Sequence, residues 1–150
     1  MVAAQSDKSN AIARALKSGV LKSVAATTIA DSISVDLPRD GDLALHYIRE
    51  SDGFAIEVSD AEILAAIPYL ARKAGVFAEP AAACAAAALR RAAKDKLIPK
   101  SASVMCLVTG NGLKDVKSAK ISIEKISKPV PVTRESAMKA VERSLGARSY

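Results

Sequence analysis

Two stretches decide the fold, Gly75-Val-Phe-Ala-Glu-Pro-Ala81 and Val104-Met-Cys-Leu-Val-Thr-Gly-Asn-Gly-Leu-Lys-Asp115. In the first, Glu79-Pro80 precedes an alanine-rich run without charged residues. Proline is favoured at the first position of a helix, because the N–H that it lacks would have no partner there. We therefore predict that a helix begins at Pro80, and that the free amides at its start can face an anion or a carbonyl group.

The second stretch predicts a buried strand followed by a glycine loop. Val104 to Val108 is an apolar run with a β-branched residue at each end, which is typical of a strand buried on both faces. The glycines of Gly110-Asn111-Gly112 can take positive φ and bring the backbone close to a ligand. Thr109 leaves a hydroxyl at the carboxyl end of the strand, the edge where open α/β sheets bind ligands.

These two stretches, with Thr28-Ile-Ala-Asp-Ser-Ile33 before them, resemble the C-terminal part of threonine synthases in order and spacing, over roughly residues 1 to 118. Threonine synthases are pyridoxal-phosphate enzymes that share the fold of the tryptophan synthase β subunit. Serine and threonine dehydratases of this fold end the strand with Ser-Gly-Gly-Asn, so Thr-Gly-Asn-Gly favours threonine synthase. Three segments in register are more specific than one glycine loop. Two residues depart from the family pattern. Threonine synthases often have serine where Ala82 stands, and Pro68 interrupts a helix that the family leaves intact.

The resemblance implies an α/β fold, namely the C-terminal part of the large three-layer α/β/α domain of a fold-type II pyridoxal-phosphate enzyme, with helices packed on a mostly parallel sheet. We expect residues 1–118 to form this partial domain and residues 119–150 to form an extension with a strand and a helix. The composition agrees, since 50% of the residues are hydrophobic and only 3% are aromatic. Alanine-rich helices suit the layers of such a protein.

The activity that the resemblance implies is the conversion of O-phosphohomoserine and water to threonine and phosphate, with pyridoxal phosphate as cofactor. By position, Thr109 would bond the pyridine nitrogen, the glycines would let the loop approach the ring, and Glu79 with Pro80 would shape the surroundings of the cofactor. No catalytic residue or metal ligand is assigned. The candidate cofactor-binding residues are Thr109, Gly110, Asn111, Gly112, Glu79 and Pro80.

Essential parts of the family's site are not matched by this sequence. The Schiff-base lysine, the glycine-rich loop for the cofactor phosphate and most ligands of the substrate phosphate precede the region of resemblance, and no lysine here lies in the family's lysine motif. We therefore expect the chain to be inactive alone and to need an N-terminal half or self-association. A fragment, a truncated gene product and half of a split enzyme all stay open. So do a non-catalytic interaction module that retains the fold remnant, and part of another amino-acid lyase or dehydratase of this fold.

Charge and hydropathy bear on the other classes of partner. The net charge of +6 is scattered, and its densest cluster, from Arg90 to Lys100, lies at a predicted helix end, where cations suit the helix dipole. No aromatic residues interleave with it, so the pattern does not favour nucleic acid as a partner. No apolar run reaches the about 18 residues that span a membrane. The N-terminus lacks the plan of a secretory signal, so we expect a cytoplasmic protein.

Local patterns predict the remaining elements. The segment from Lys22 to Val35 either borders the active site or is an ordinary loop, and His46 is assigned no role. Cys84 and Cys106 are predicted to be buried free thiols on a helix and a strand. The expected elements are a strand tail at residues 1–4, helices at 10–18 (ended by Gly19) and 42–51 (capped by Asp42), a strand at 54–58, a helix from the capping box Ser59-Asp-Ala-Glu62 to Gly75 with Pro68 inside it, a strand at 120–126, and a helix to Leu145 capped by Thr133.

Overall fold

The computed structural model describes residues 1–123 and 133–146 of the chain. This part consists of helices around a parallel pair of strands, with short 3-10 helices at Asp31–Ile33 and Gly112–Asp115. The regular elements are β1 (Val2–Ser6), α1 (Ala11–Ser18), α2 (Gly41–Glu50), β2 (Phe54–Val58), α3 (Asp60–Ala74), α4 (Pro80–Lys94), α5 (Val116–Ser122) and α6 (Arg134–Gly146).

The two strands form the middle of a layered α/β arrangement. They run parallel, with Val2 opposite Phe54 and Ser6 opposite Val58. Successive side chains of a strand point to opposite faces of the sheet. On one face Ala3 packs against the apolar cluster of α1 and α2, and on the other face Ala4 packs against the cluster that includes α3 and α4. The predicted α/β class, with helices packed on a parallel sheet, is confirmed.

Four helix ends lie where the sequence predicts them, at Gly19, Ser59, Gly75 and Pro80. At the start of α3, the Glu62 N–H donates to Ser59 Oγ and the Ser59 N–H donates to Glu62 Oε2, which completes the capping box. Gly19 and Gly75 end α1 and α3 in the left-handed conformation, with φ of 80° and 66°. Pro80 occupies the first turn of α4, as predicted.

The core between α3 and α4 is built from small side chains and a few large ones. Ile63 and Ile67 of α3 are 0% and 1% exposed, and they lie in the same buried cluster as the alanines of α4. The thiol of Cys84 is buried there as well, and this burial raises its pKa to about 12. The prediction of a buried free thiol at Cys84 is confirmed.

The prediction of a strand from Val104 to Val108 is wrong for this chain. These residues form no ladder with any described residue, and Met105 and Leu107 are 87% and 69% exposed. Cys106 and Val108 are half-buried against the core cluster that contains α4, so Cys106 is neither fully buried nor on a strand. A strand needs a neighbour to take up its backbone hydrogen bonds, and β1 is paired only with β2 among the described residues.

Smaller corrections concern element ends. The second helix begins at Gly41 with Asp40 at its N-cap, so Asp42 lies in the first turn instead of capping it. The strand expected at residues 120–126 is wrong where it can be seen, because residues 120–122 belong to α5, while residues 124–126 lie outside the described part. Thr133 does cap α6, since its hydroxyl accepts from the Ser136 N–H. The division into residues 1–118 and 119–150 stays a prediction.

The described part of the chain contains no helix with the length and apolarity needed to cross a bilayer. It also holds no group of acidic, histidine or cysteine side chains arranged to bind a metal ion. His46 is exposed on α2, with Nε2 3.9 Å from Glu50 Oε2 one turn later.

Candidate cofactor site

Three segments that are far apart in the sequence meet around the carboxylate of Glu79. Lys114 Nζ lies 3.1 Å from both carboxylate oxygens of Glu79, and Ser32 Oγ lies 3.4 Å from Oε1. Lys114 Nζ is also 3.4 Å from Ser32 Oγ. The Glu79 side chain is only 8% exposed, whereas Lys114 is 60% exposed. A buried carboxylate is costly unless it is paired, so the lysine provides the charge that Glu79 needs at this position.

Backbone hydrogen bonds fasten the glycine loop to the segment before α4. The Glu79 N–H donates to the Gly110 carbonyl at 3.0 Å, and the Gly112 N–H donates to the Phe77 carbonyl at 3.0 Å. Ala78 and Asn111, which lie between these bonds, form an antiparallel bridge. The loop is therefore held by main-chain contacts, and the end of residues 104–109 is anchored beside the start of α4.

The glycines of this loop are required by packing within the chain. A Cβ on Gly110 would lie 1.8 Å from Glu79 Oε1, and a Cβ on Gly112 would lie 2.4 Å from the Phe77 ring. Neither glycine takes the positive φ that the sequence suggested, which among the described glycines is found at Gly19 and Gly75. The close approach that these glycines permit is thus an approach to the Phe77–Glu79 segment.

The side chain of Thr109 is exposed. It makes no hydrogen bond to any other described residue. Asn111, by contrast, uses Oδ1 to accept from the Leu113 N–H at 2.9 Å, which caps the short 3-10 helix that follows. In this loop, Thr109 is therefore the predicted site residue with a free hydroxyl group.

The Thr28–Ile33 segment contributes only part of what its sequence suggested. Ser32 reaches Glu79, whereas Thr28 turns to the start of α3, where its hydroxyl donates to Asp60 Oδ1 at 2.5 Å. Lys8 Nζ pairs with the other oxygen of Asp60 at 2.8 Å. Burial alone would raise the pKa of Asp60, but hydrogen bonds from Lys8 and Thr28 and the lysine charge together lower it. Thr28 therefore stabilises the fold beside the site without entering it.

We expect Asp60→Asn to lower stability by about 1 kcal/mol near neutral pH, because the ion pair and part of the hydroxyl's hydrogen bond are lost. The pKa of Asp60 is lower in the folded chain, so its contribution is present above the unfolded pKa of 3.8 and disappears as the pH falls through the folded value. Urea titrations between pH 3 and pH 7 should show a smaller acid-dependent loss of stability in the variant. A difference between variant and parent that stays constant down to the lowest pH would contradict this assignment.

Sequence reasoning missed Lys114, Phe77 and the contact of Ser32 with Glu79. Lys114 stands directly after the Thr-Gly-Asn-Gly-Leu motif, and Glu79 precedes a helix whose first ten residues carry no charge. The need of the Glu79 carboxylate for a cation was therefore the available signal. Sequence separation hides such a pair, because residues 79 and 114 meet only after α4 and the 104–108 segment have folded back.

Several known proteins resemble this chain in sequence. Residues 1–110 match the family model described as pyridoxal-phosphate dependent enzyme. The chain is 44% identical over 97 residues to the threonine synthase of Halalkalibacterium halodurans, covering 65% of this chain and 27% of that protein. It is 42% identical over 105 residues to the threonine synthase of Mycobacterium tuberculosis, covering 70% and 29%, and 36% identical over 118 residues to that of Methanocaldococcus jannaschii, covering 79% and 28%.

A solved structure supports the fold. The crystal structure of a pyridoxal-phosphate-bound threonine synthase from Brucella melitensis matches with a TM-score of 0.59 and 17% identity, over 87% of this chain and 33% of that chain. At this identity the match speaks for the fold alone, and it confirms the predicted fold-type II class. The chain spans less than a third of the three curated relatives above. Because the family model covers nearly three quarters of its length, this chain belongs to the pyridoxal-phosphate-dependent enzyme family.

Proposed function

We propose that this chain forms one wall of the cofactor site of a threonine synthase-like enzyme, which converts O-phosphohomoserine and water to threonine and phosphate. The observation that carries the proposal is the Thr109 hydroxyl, exposed and unbonded among the described residues, at the start of a loop that main-chain hydrogen bonds hold in place. The family to which the chain belongs uses pyridoxal phosphate, and its curated relatives named above are threonine synthases. Because the chain spans less than a third of those relatives, activity requires protein outside it.

The residues present are suited to one side of such a cofactor. A free hydroxyl on a fixed backbone can donate a hydrogen bond to a ring nitrogen without moving the loop, which keeps the cost of binding low. Bound pyridoxal phosphate supplies an electron sink for chemistry at the amino acid's α and neighbouring carbons. Thr109 would set the strength of that sink. As a neutral donor Thr109 would leave the ring nitrogen unprotonated, whereas an aspartate there would favour the protonated form.

The other site residues act on the position of Thr109. The Glu79 carboxylate forms an ion pair with Lys114, and the Glu79 N–H donates a hydrogen bond to the Gly110 carbonyl. Pro80 is buried at the start of α4, so the helix end beside Glu79 is anchored in the core. In this proposal Glu79 and Pro80 shape the wall, and Gly110, Asn111 and Gly112 give the loop its course.

We expect Thr109→Val to weaken cofactor binding about two- to thirteenfold in the complete enzyme and to slow turnover, since a solvent-compensated hydrogen bond contributes about 0.5 to 1.5 kcal/mol. Thr109→Ser keeps the hydroxyl and should change cofactor affinity and turnover less than Thr109→Val does. The measurement is cofactor affinity by fluorescence titration, with kcat determined on O-phosphohomoserine. Because valine has nearly the shape of threonine, unchanged affinity and turnover in Thr109→Val would remove the assigned role.

A second candidate function is an interaction module that retains this fold without catalysis. The exposure of Val104, Met105 and Leu107 on one extended segment favours it, because contiguous exposed apolar residues mark surfaces that bind partners. The same exposure also fits an enzyme domain that another part of the protein completes. Cofactor binding by the assembled protein separates the two, since a module without catalytic function has no need of it. A cytoplasmic location stays a prediction.

A further inference from the structure

A polar cavity lies at the carboxyl end of β1, on the face of the sheet that carries α1. Its volume is about 600 Å³, and it is lined by residues of β2, of α1 and of the loops that follow β1 and α1. Glu57 of β2 is a fixed part of its wall, because Asn10 Nδ2 and Lys17 Nζ each lie 2.7 Å from one of its carboxylate oxygens. None of the lining residues belongs to the candidate cofactor site.

Another wall of the cavity is a loop that is held in place from outside. This loop contributes Val24 and Ala25 to the lining. The Val24 N–H donates to the Asp36 carbonyl at 2.9 Å, and the Ala26 N–H donates to Asp36 Oδ1 at 2.8 Å. The wall is therefore formed in the free chain, which spares a ligand the cost of ordering it.

Three of the five charged residues that line the cavity are neutralised by partners. Lys8 Nζ lies 2.8 Å from Asp60 Oδ2, and Lys17 Nζ lies 2.7 Å from Glu57 Oε1. Such exposed pairs add little to stability, but each cancels charge locally. A ligand in the cavity therefore meets no net charge from these residues.

Asp7 and Arg14 are the lining residues whose charges have no partner in the described part of the chain. The Asp7 carboxylate accepts only a long hydrogen bond from the Ser6 hydroxyl, at 3.5 Å. Although Asp7 and Arg14 line one cavity and carry opposite charges, they do not pair with each other. Charge-assisted hydrogen bonds are about 2.7–2.9 Å long, so a ligand with both charges can bridge groups that lie too far apart to pair directly.

We propose that this cavity binds a free α-amino acid with a short apolar side chain. The α-carboxylate accepts hydrogen bonds from the Arg14 guanidinium, whose planar fork matches a carboxylate, and the α-ammonium donates to the Asp7 carboxylate. The side chain of the ligand packs against Val24 and Ala25, the apolar residues of the lining. A simple anion such as phosphate fits less well, because the carboxylates of Asp7 and Glu57 repel it.

This inference does not rest on the proposed function, because it uses no residue of the candidate cofactor site. It gives the chain a second site, for an amino acid that is not the one undergoing reaction. The loop with Val24 and Ala25 continues into the segment that carries Ser32, whose hydroxyl contacts Glu79. The occupant therefore touches the same stretch of chain that borders the candidate cofactor site.

The test is a titration of the full nitrogen-15-labelled chain, without cofactor, followed through the backbone amide signals of Lys8, Val24 and Ala25. L-Valine is the probe. N-acetyl-L-valine and L-valinamide are its matched controls, since each lacks one of the two charges. We expect L-valine to shift these signals in a saturable way, and each control to bind about fivefold more weakly or worse, because one charge-assisted hydrogen-bonding group is lost.

Two substitutions connect each charge of the ligand to its residue. Arg14→Gln should weaken L-valine binding about fivefold or more and leave the weaker binding of L-valinamide unchanged, because the amide has no carboxylate. Asp7→Asn should weaken L-valine binding similarly and leave that of N-acetyl-L-valine unchanged. Arg72→Gln changes an exposed arginine of α3 outside the cavity and should have no effect. Asp7 and Arg14 are exposed, so neither substitution should prevent folding.

Three results would overturn the inference: no saturable shift with L-valine, equal binding of L-valine and its two controls, or the same shifts with sodium phosphate in place of L-valine. The last result would assign the cavity to an anion. The titration contains no pyridoxal phosphate, so a negative result leaves the proposed function untouched. Unchanged cofactor binding in Thr109→Val would remove the proposed function and leave this inference untouched.

Discussion

Replacing Gly110 with alanine is expected to cost about 1–3 kcal/mol of stability, the usual range for forcing an extra carbon into a packed site. The added Cβ would lie 1.8 Å from Glu79 Oε1 and 2.3 Å from Glu79 Cδ, so the carboxylate would have to move. Moving it breaks the contact with Lys114 and strains the hydrogen bond from the Glu79 N–H to the Gly110 carbonyl. Urea denaturation monitored by circular dichroism measures the loss.

Glu79→Ala supplies the control for this prediction. With the carboxylate removed, the methyl group of alanine at position 110 has room, so Gly110→Ala should cost much less in the Glu79→Ala background than in the parent chain. A double-mutant cycle gives this coupling directly. Equal costs in the two backgrounds would mean that the glycine is required for a reason other than its contact with Glu79.

The second large effect is expected in the core that holds α4. Ile63→Ala should destabilise the chain by about 2–5 kcal/mol, because the side chain is 0% exposed and its loss leaves a cavity. The facing helix is rich in alanine, and alanines have no side-chain freedom with which to fill that space. The measurement is again the free energy of unfolding in urea.

Ile121→Ala is the matched control, since the same atoms are removed from a side chain that is 50% exposed on α5. It should cost less than about 1 kcal/mol, because little apolar area returns to water. A loss for Ile63→Ala as small as that for Ile121→Ala would show that α3 and α4 do not pack as described. The position of Glu79 at the start of α4 would then lose its structural support.

The sequence predicted helix ends well because the signals are local. The capping box at Ser59 and Glu62, the glycine at residue 75 and the proline at residue 80 each satisfy or spare backbone groups within a few residues. Such groups need no knowledge of the rest of the fold. The same holds for β2, whose alternation between the two faces of the sheet is readable in five residues.

The strand expected at residues 104–108 shows where local reasoning ends. Its apolar, β-branched composition describes a segment suited to a sheet interior, but composition cannot supply the neighbouring strand that makes it one. Among the described residues that neighbour is absent, so the segment stays extended and exposed. The composition of residues 104–108 suits a buried strand, but the prediction that they form one in this chain was wrong.

The candidate site was predicted by resemblance more than by physical pattern. Gly110 and Gly112 pack closely against the Phe77–Glu79 segment, which no spacing rule reveals, and the predicted approach of these glycines to a ligand stays a prediction. Lys114 was missed because its contact with Glu79 joins residues 35 positions apart. Whether Thr109, Gly110, Asn111, Gly112, Glu79 and Pro80 bind the cofactor stays a prediction.

The most direct test of the central claim is the nitrogen-15 chemical shift of pyridoxal phosphate labelled at its ring nitrogen and bound to the complete enzyme that contains this chain. If Thr109 donates to that nitrogen, the shift is that of an unprotonated, hydrogen-bonded pyridine, and it moves toward the value without a hydrogen bond in Thr109→Val but not in Thr109→Ser. A protonated nitrogen, or a shift that is the same in the parent and in Thr109→Val, would contradict the account.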